Sequence, residues 1–209
     1  MAPKKAAVFA SGSGSNFEAI VQAAVADANC PYEAALLICD KPSAFALERA
    51  KKLNVPAKVF HPKAYDSREA YEEDIVRELR ERSIDFIVLA GYMRLITPVL
   101  LSAYENRILN IHPSLLPAFP GLHAVEQALE YGAKVAGVTV HLVDGGMDTG
   151  PIIAQEAIPV QADDTPETLY PRIQQIEHRL YPAVVKAYAE GRVQAEPNGR
   201  KVKVEGILR

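Results

Sequence analysis

Two rhythms of apolar positions alternate along this chain. Ala6 to Ala10 is an unbroken apolar run, as in a strand covered on both faces. Phe17, Ile20, Val21, Ala24 and Val25 then recur at helical spacing. The pattern repeats with a strand at Ala34 to Cys39, a helix at Ala44 to Leu53 and a short strand at Ala57 to Phe60. Arg68 to Arg82 is dense in charge, and Tyr71, Ile75 and Leu79 form a narrow apolar stripe on it, as on a surface helix packed by one face. Ile84 to Ala90 reads as a central strand and Arg107 to Ile111 as another, with a helix at His123 to Tyr131 and strands at Val135 to Val143 and Ile152 to Val160.

Thr165 and Pro166 form the cap and first position of a long helix running to about Glu190. Leu169, Ile173, Ile176, Leu180 and Val184 make its core face, and Pro171 and Pro182 are expected to kink it. Near the end, Asn198-Gly199 between two short polar-apolar runs predicts a hairpin. Strands alternating with helices predict an α/β fold: a mostly parallel twisted sheet with flanking helices, Rossmann-like, plus a short C-terminal hairpin. The length, 209 residues with 49% apolar, suits a single domain over 1–209.

Composition narrows the function. A formal charge of −3 argues against a general nucleic-acid binder. Neither a membrane-length apolar run nor a signal core is present, and the two cysteines, Cys30 and Cys39, make no disulfide framework. The cytoplasm is the expected compartment. His61, His123, His141 and His178 lack metal-ligand spacing, so no metal is expected. The sequence also holds no Gly-x-Ser-x-Gly elbow, and neither cysteine has a basic setting, so a covalent nucleophile is not expected.

Three segments carry candidate chemistry. Ser11-Gly12-Ser13-Gly14-Ser15-Asn16 joins the first strand to the first helix. Small residues and a helix start make a phosphate its natural guest, and the alternative is a tight turn capped by Ser15. Phe17 stands where a dinucleotide fingerprint needs its third glycine, which favours a monophosphate. In the second segment, Asn110 and His112 lie two apart at the end of an apolar strand, ahead of Pro113 and Pro117. They therefore point the same way, where an amide can meet an oxyanion and an imidazole can move a proton. The third is the loop Asp144 to Pro151, with three glycines and two acids. Asp148 either orients His112 or is a solvated loop acid, and spacing alone does not bring the two together.

Asn110-Ile111-His112-Pro113-Ser114-Leu115-Leu116-Pro117, then Pro120-Gly121 and later Asp148, resembles the signature of folate-dependent formyl-transfer enzymes. Over its full length the chain is similar to the glycinamide ribonucleotide formyltransferases, through the Ser11–Asn16 turn, Gly91 to Ile96, and Gln175 to His178 with Tyr181-Pro182. The resemblance implies transfer of a formyl group from 10-formyltetrahydrofolate, a co-substrate, to the amine of 5-phosphoribosylglycinamide in purine biosynthesis. It implies Asn110, His112 and Asp148 as catalytic, and Gly14, Ser15, Asn16 and Glu177 on the amine substrate. Arg68, Met93, Arg94, Leu95, Ile96, Asn110 and Asp144 would meet the folate. The N-terminal half would hold the ribose phosphate, and the C-terminal half the folate and the catalytic loop. Arg68 is otherwise a solvated helix-start arginine, and Glu177 a solvated helix acid. Ala118-Phe119 and Pro171 depart from the family's pattern. Partners are expected to be these small molecules, with no nucleic acid or membrane, and the chain a monomer or homodimer. The nearest alternatives are another 10-formyltetrahydrofolate-dependent transferase, or a hydrolase of the same donor. A tRNA-directed transferase is expected to carry an extra C-terminal domain and a basic surface, and the hydrolase an extra N-terminal domain, and neither is the expectation for this mildly acidic chain.

Overall fold

The computed structural model describes residues 2–196 and 200–206. Its strand order is β3-β2-β1-β4-β5-β6-β7, with a separate two-stranded hairpin, β8-β9. The strands are β1 (Lys4–Ala10), β2 (Tyr32–Cys39), β3 (Ala57–Val59), β4 (Phe86–Leu89), β5 (Ile108–His112), β6 (Val135–Leu142), β7 (Ile152–Pro159), β8 (Val193–Ala195) and β9 (Val202–Val204). The helices are α1 (Ser15–Ala26), α2 (Ala46–Lys52), α3 (Arg68–Glu81), α4 (Pro98–Ala103), α5 (Ala124–Tyr131) and α6 (Pro166–Ala189). Residues cluster into two compact units, Met1–Leu109 and Asn110–Arg209.

In the first unit, β1 pairs in parallel with both β2 and β4, and β2 with β3. The apolar runs of β1 and β2 are buried on both faces, which is why they lack alternation. The stripe Tyr71, Ile75 and Leu79 on α3 is buried as expected. Glu72 and Glu78 are buried with it, against the expectation of a one-faced surface helix. α4 was not expected, although Thr97-Pro98 opens it with the same cap-and-proline pair that opens α6.

In the second unit, β6 and β7 are antiparallel, joined by the 143–151 loop. α6 is a single helix of 24 residues that contains both prolines and is held at its start by the Thr165–Thr168 capping box. Leu169, Ile173, Ile176, Leu180 and Val184 are all buried. β8 and β9 pair antiparallel as the hairpin signal implied, while Asn198-Gly199 lies outside the described residues. Among the described residues no helix is long and apolar enough to cross a membrane.

Candidate active site

The first unit offers a helix start without a side-chain cap. Gly14 precedes α1 with φ 73, and no side chain caps the helix. A Cβ on Gly14 would lie 2.6 Å from that of Ala46, so both conformation and space restrict the position to glycine. Ser15 is the first helical residue, not the cap. Ala46 N–H donates to the Gly12 carbonyl at 3.1 Å, and Arg49 Nε donates to the Ser13 carbonyl at 2.9 Å. Across a trans peptide the next N–H points the opposite way, so those of Ser13 and Gly14 turn away from α2. Arg49 is itself held by the Glu18 carboxylate and lies over the Phe45 ring. The result is a rigid start of α1, at Gly14, Ser15 and Asn16, with the polarity to receive an anion.

The segment 91–97, after β4, is fixed by α3. Arg68 Nη2 donates to the Leu95 carbonyl at 2.7 Å, so Arg68 is tied to this segment rather than simply solvated. The Arg94 guanidinium lies 5.2 Å from the Tyr71 ring centroid, and the Tyr71 and Tyr92 hydroxyls share a hydrogen bond at 2.6 Å. Burial pushes the Tyr92 phenol far above its usual range, so this hydroxyl stays protonated. The buried Glu72 carboxylate accepts from Thr97 N–H (2.8 Å), Thr97 Oγ1 (2.6 Å) and Leu100 N–H (3.1 Å), which caps α4. Met93 and Leu95 remain 61% and 54% exposed on this fixed backbone, while Arg94 and Ile96 are half-buried. An apolar face held in the open suits a flat apolar ligand.

In the second unit the catalytic candidates meet around one carboxylate. Asn110 and His112 share a face of β5. The structure brings Asp148 to His112, with Oδ2 3.4 Å from Nδ1, an ion pair when the imidazole is doubly protonated. His112 Nε2 lies 2.8 Å from the Phe119 carbonyl, so both ring nitrogens face oxygen acceptors. Gly121 N–H donates to Asp148 Oδ2 at 2.7 Å. Asp148 Oδ1 lies 3.8 Å from Nε2 of a second imidazole, His141.

Metal-ligand spacing does not single out His141, yet it is the second imidazole of the cluster. It is 2% exposed, and its Nδ1 lies 2.9 Å from the Leu142 carbonyl, which assigns the proton there. Nε2 is then the acceptor for the Asn110 amide at 3.1 Å and sets that amide's orientation. Desolvation holds the His141 pKa below its ordinary 6.5, consistent with the neutral acceptor. The available signal was Thr139 with His141, two polar residues at period two in an apolar strand. Thr139 is fully buried, donates to the Ser114 carbonyl at 2.7 Å and accepts from Leu116 N–H at 3.0 Å, which fixes the stretch after His112.

The loop carrying Asp148 is stapled by Asp144, whose Oδ1 accepts from Gly146 N–H at 3.0 Å and Thr149 Oγ1 at 2.6 Å. Arg200 Nη2 donates to the Thr149 carbonyl at 2.6 Å. Glu177 on α6 is 4% exposed, so it is not a solvated acid. Its charge adds to the burial that raises the Tyr170 and Tyr181 phenols. Among the described residues no group of three or more His, Cys, Asp or Glu is placed to hold a metal ion.

A family model described as formyl transferase matches residues 4–185. The phosphoribosylglycinamide formyltransferase of Bacillus subtilis (strain 168) is 56% identical over 183 residues, 88% of this chain and 93% of that protein. The enzyme of that name from Escherichia coli (strain K12) is 40% identical over 191 residues, 91% of this chain and 90% of its own. A crystal structure of glycinamide ribonucleotide transformylase 1 from Symbiobacterium toebii superposes with a TM-score of 0.93 at 48% identity, over 97% of this chain and 94% of that one.

Proposed function

We propose, from the premise that this chain belongs to the formyl transferase family, that it moves the formyl group of 10-formyltetrahydrofolate onto the amine of 5-phosphoribosylglycinamide, a step of purine biosynthesis. The observation that carries the reading is the cluster in which Asp148 stands between two imidazoles and Asn110 is oriented by one of them. A one-carbon acyl transfer needs an oriented amide donor and a proton carrier of this kind.

The substrate amine attacks the formyl carbon and forms a C–N bond. The tetrahedral centre carries a negative oxygen, stabilised by the second N–H of the Asn110 amide and by His112. Phe119 O holds the Nε2 proton of His112 until the developing oxyanion competes for it. Asp148 supports the charged imidazole by proximity and helps pass the amine's proton on through water. The bond from the formyl carbon to N10 of the folate then breaks, and N10 takes up a proton. No covalent bond between enzyme and formyl group is required. Gly14, Ser15 and Asn16 bind the substrate's phosphate at the start of α1, and Glu177 accepts hydrogen bonds from the rest of that substrate. Met93 to Ile96 take the folate ring, with Asn110 and Asp144 as further contacts, and Arg68 a carboxylate of its tail.

The test is a turnover assay with both substrates, a control lacking the amine, and His112→Ala alongside. Amine-dependent turnover lost in the variant is the expected result. Turnover without the amine makes the protein a hydrolase of the same donor, and folate binding without turnover makes the acceptor another amine.

A further inference from the structure

We propose that Ser11, although it stands in the glycine-rich turn, is a positioning residue for the one-carbon donor and not a contact of the phosphate. The proposal rests on the reading of Met93 to Ile96 as the donor's binding segment. Ser11 is 4% exposed at the end of β1. Its N–H donates to the Gly91 carbonyl at 3.0 Å, and its Oγ accepts from Met93 N–H at 3.0 Å. Both bonds run sideways to the segment after β4, whereas the anion-ready N–H groups begin further on, at Ser13 and Gly14.

The two bonds bracket Tyr92. They fix the carbonyl before it and the amide after it, and so the planes of both peptides flanking that residue. The Tyr92 side chain follows from this, edge-on to Phe9 with centroids 5.2 Å apart and hydrogen-bonded to Tyr71. So does the path of the backbone into Met93. Gly91 has φ 74 and nothing within 4 Å of a Cβ built on it, so no side-chain packing acts at this residue and the bond from Ser11 to its carbonyl holds it. Arg68 and Glu72 hold the far end, and Ser11 holds the near end. The turn that receives one substrate therefore also sets the geometry of the platform for the other.

Ser11→Ala deletes the acceptor of Met93 N–H. The expected result is a KM for 10-formyltetrahydrofolate raised by about tenfold, the equivalent of one lost net hydrogen bond, with KM for the amine substrate and kcat at saturation unchanged. Ser15→Ala gives the opposite split. Ser11→Cys, near-isosteric with a weaker acceptor, falls between wild type and alanine and covers the case in which alanine impairs folding. Amide hydrogen exchange of residues 91–96, measured without ligands, rises in Ser11→Ala. A raised KM for the amine substrate alone, or no change in either KM, overturns the proposal. If the wild type binds no formyl-folate, it is the underlying reading that fails, and the exchange rates alone decide whether Ser11 clamps the segment: unchanged exchange overturns that too.

Discussion

The turn after β1 and the loop between β6 and β7 are both rich in glycine, and both meet a substrate in the proposed reaction, yet they are held by opposite means. In the turn the backbone is the scaffold. The Gly12 and Ser13 carbonyls are drawn to α2, and Gly14 takes a left-handed conformation against Ala46. No residue from Ser11 to Asn16 titrates near neutral pH. In the loop, carboxylates are the scaffold: Asp144 gathers Gly146 and Thr149, and Asp148 takes the Gly121 N–H while facing two imidazoles. The shape of the turn thus holds without a group that titrates near neutral pH, whereas the chemistry depends on charges that also hold the loop in place.

That contrast breaks most visibly at the cluster. Asn110→Ala and His112→Ala each lose at least about 100- to 1000-fold in kcat with little change in thermal unfolding. Near-wild-type kcat in either removes that residue from the mechanism. The turn breaks through geometry instead. Gly14→Ala destabilises the fold by about 1–3 kcal/mol and raises KM for the phosphorylated substrate. Gly12→Ala, with nothing within 4 Å of the added Cβ, stays within about 0.5 kcal/mol. Denaturant titrations of the pair check this, and equal losses in both would undo the argument from packing.

A smaller effect sharpens the comparison through pH. The folded state disfavours protonated His141, whose pKa lies below 6.5, so the unfolded chain takes up the proton more readily. The stability contributed is fully present above about pH 6.5 and is lost as pH falls from there through the folded pKa. Protonated Nε2 would also face the Asn110 amide as a second donor, so turnover declines in the same direction. His141→Gln should flatten this acid limb in a kcat–pH profile and in melting temperature against pH. An unchanged limb assigns the titration to another group. The smallest effect is at Arg200, an exposed side chain bonded to the Thr149 carbonyl. Arg200→Ala is expected to lower kcat by no more than about threefold, within the range of one exposed hydrogen bond.

The parallel strands were legible because strands covered on both faces leave unbroken apolar runs, and Asn110 with His112 because the side-chain period of a strand is two. The approach of Asp148 to His112 was not legible, since it arises from the return of β6 and β7 rather than from any local pattern. Glu72 misled for a related reason. Its charge read as solvent-facing, but the donors it caps, Thr97 and Leu100, lie 25 and 28 residues further along. His141 was visible as a polar position in an apolar strand, but metal-ligand spacing carries no sign of its use as a hydrogen-bond acceptor.

Cys39 ends β2 with no exposed surface, and burial, with Asp40 beside it, raises its thiol to about 12. A thiol that is both sealed and protonated is chemically silent. Reagents that label thiolates can reach it only in the brief intervals when the parallel strands part. Its labelling rate is then a clock for those openings, set between β1 and β3 beside the strand that leads into the phosphate turn, and read at a thiol the sequence already supplies.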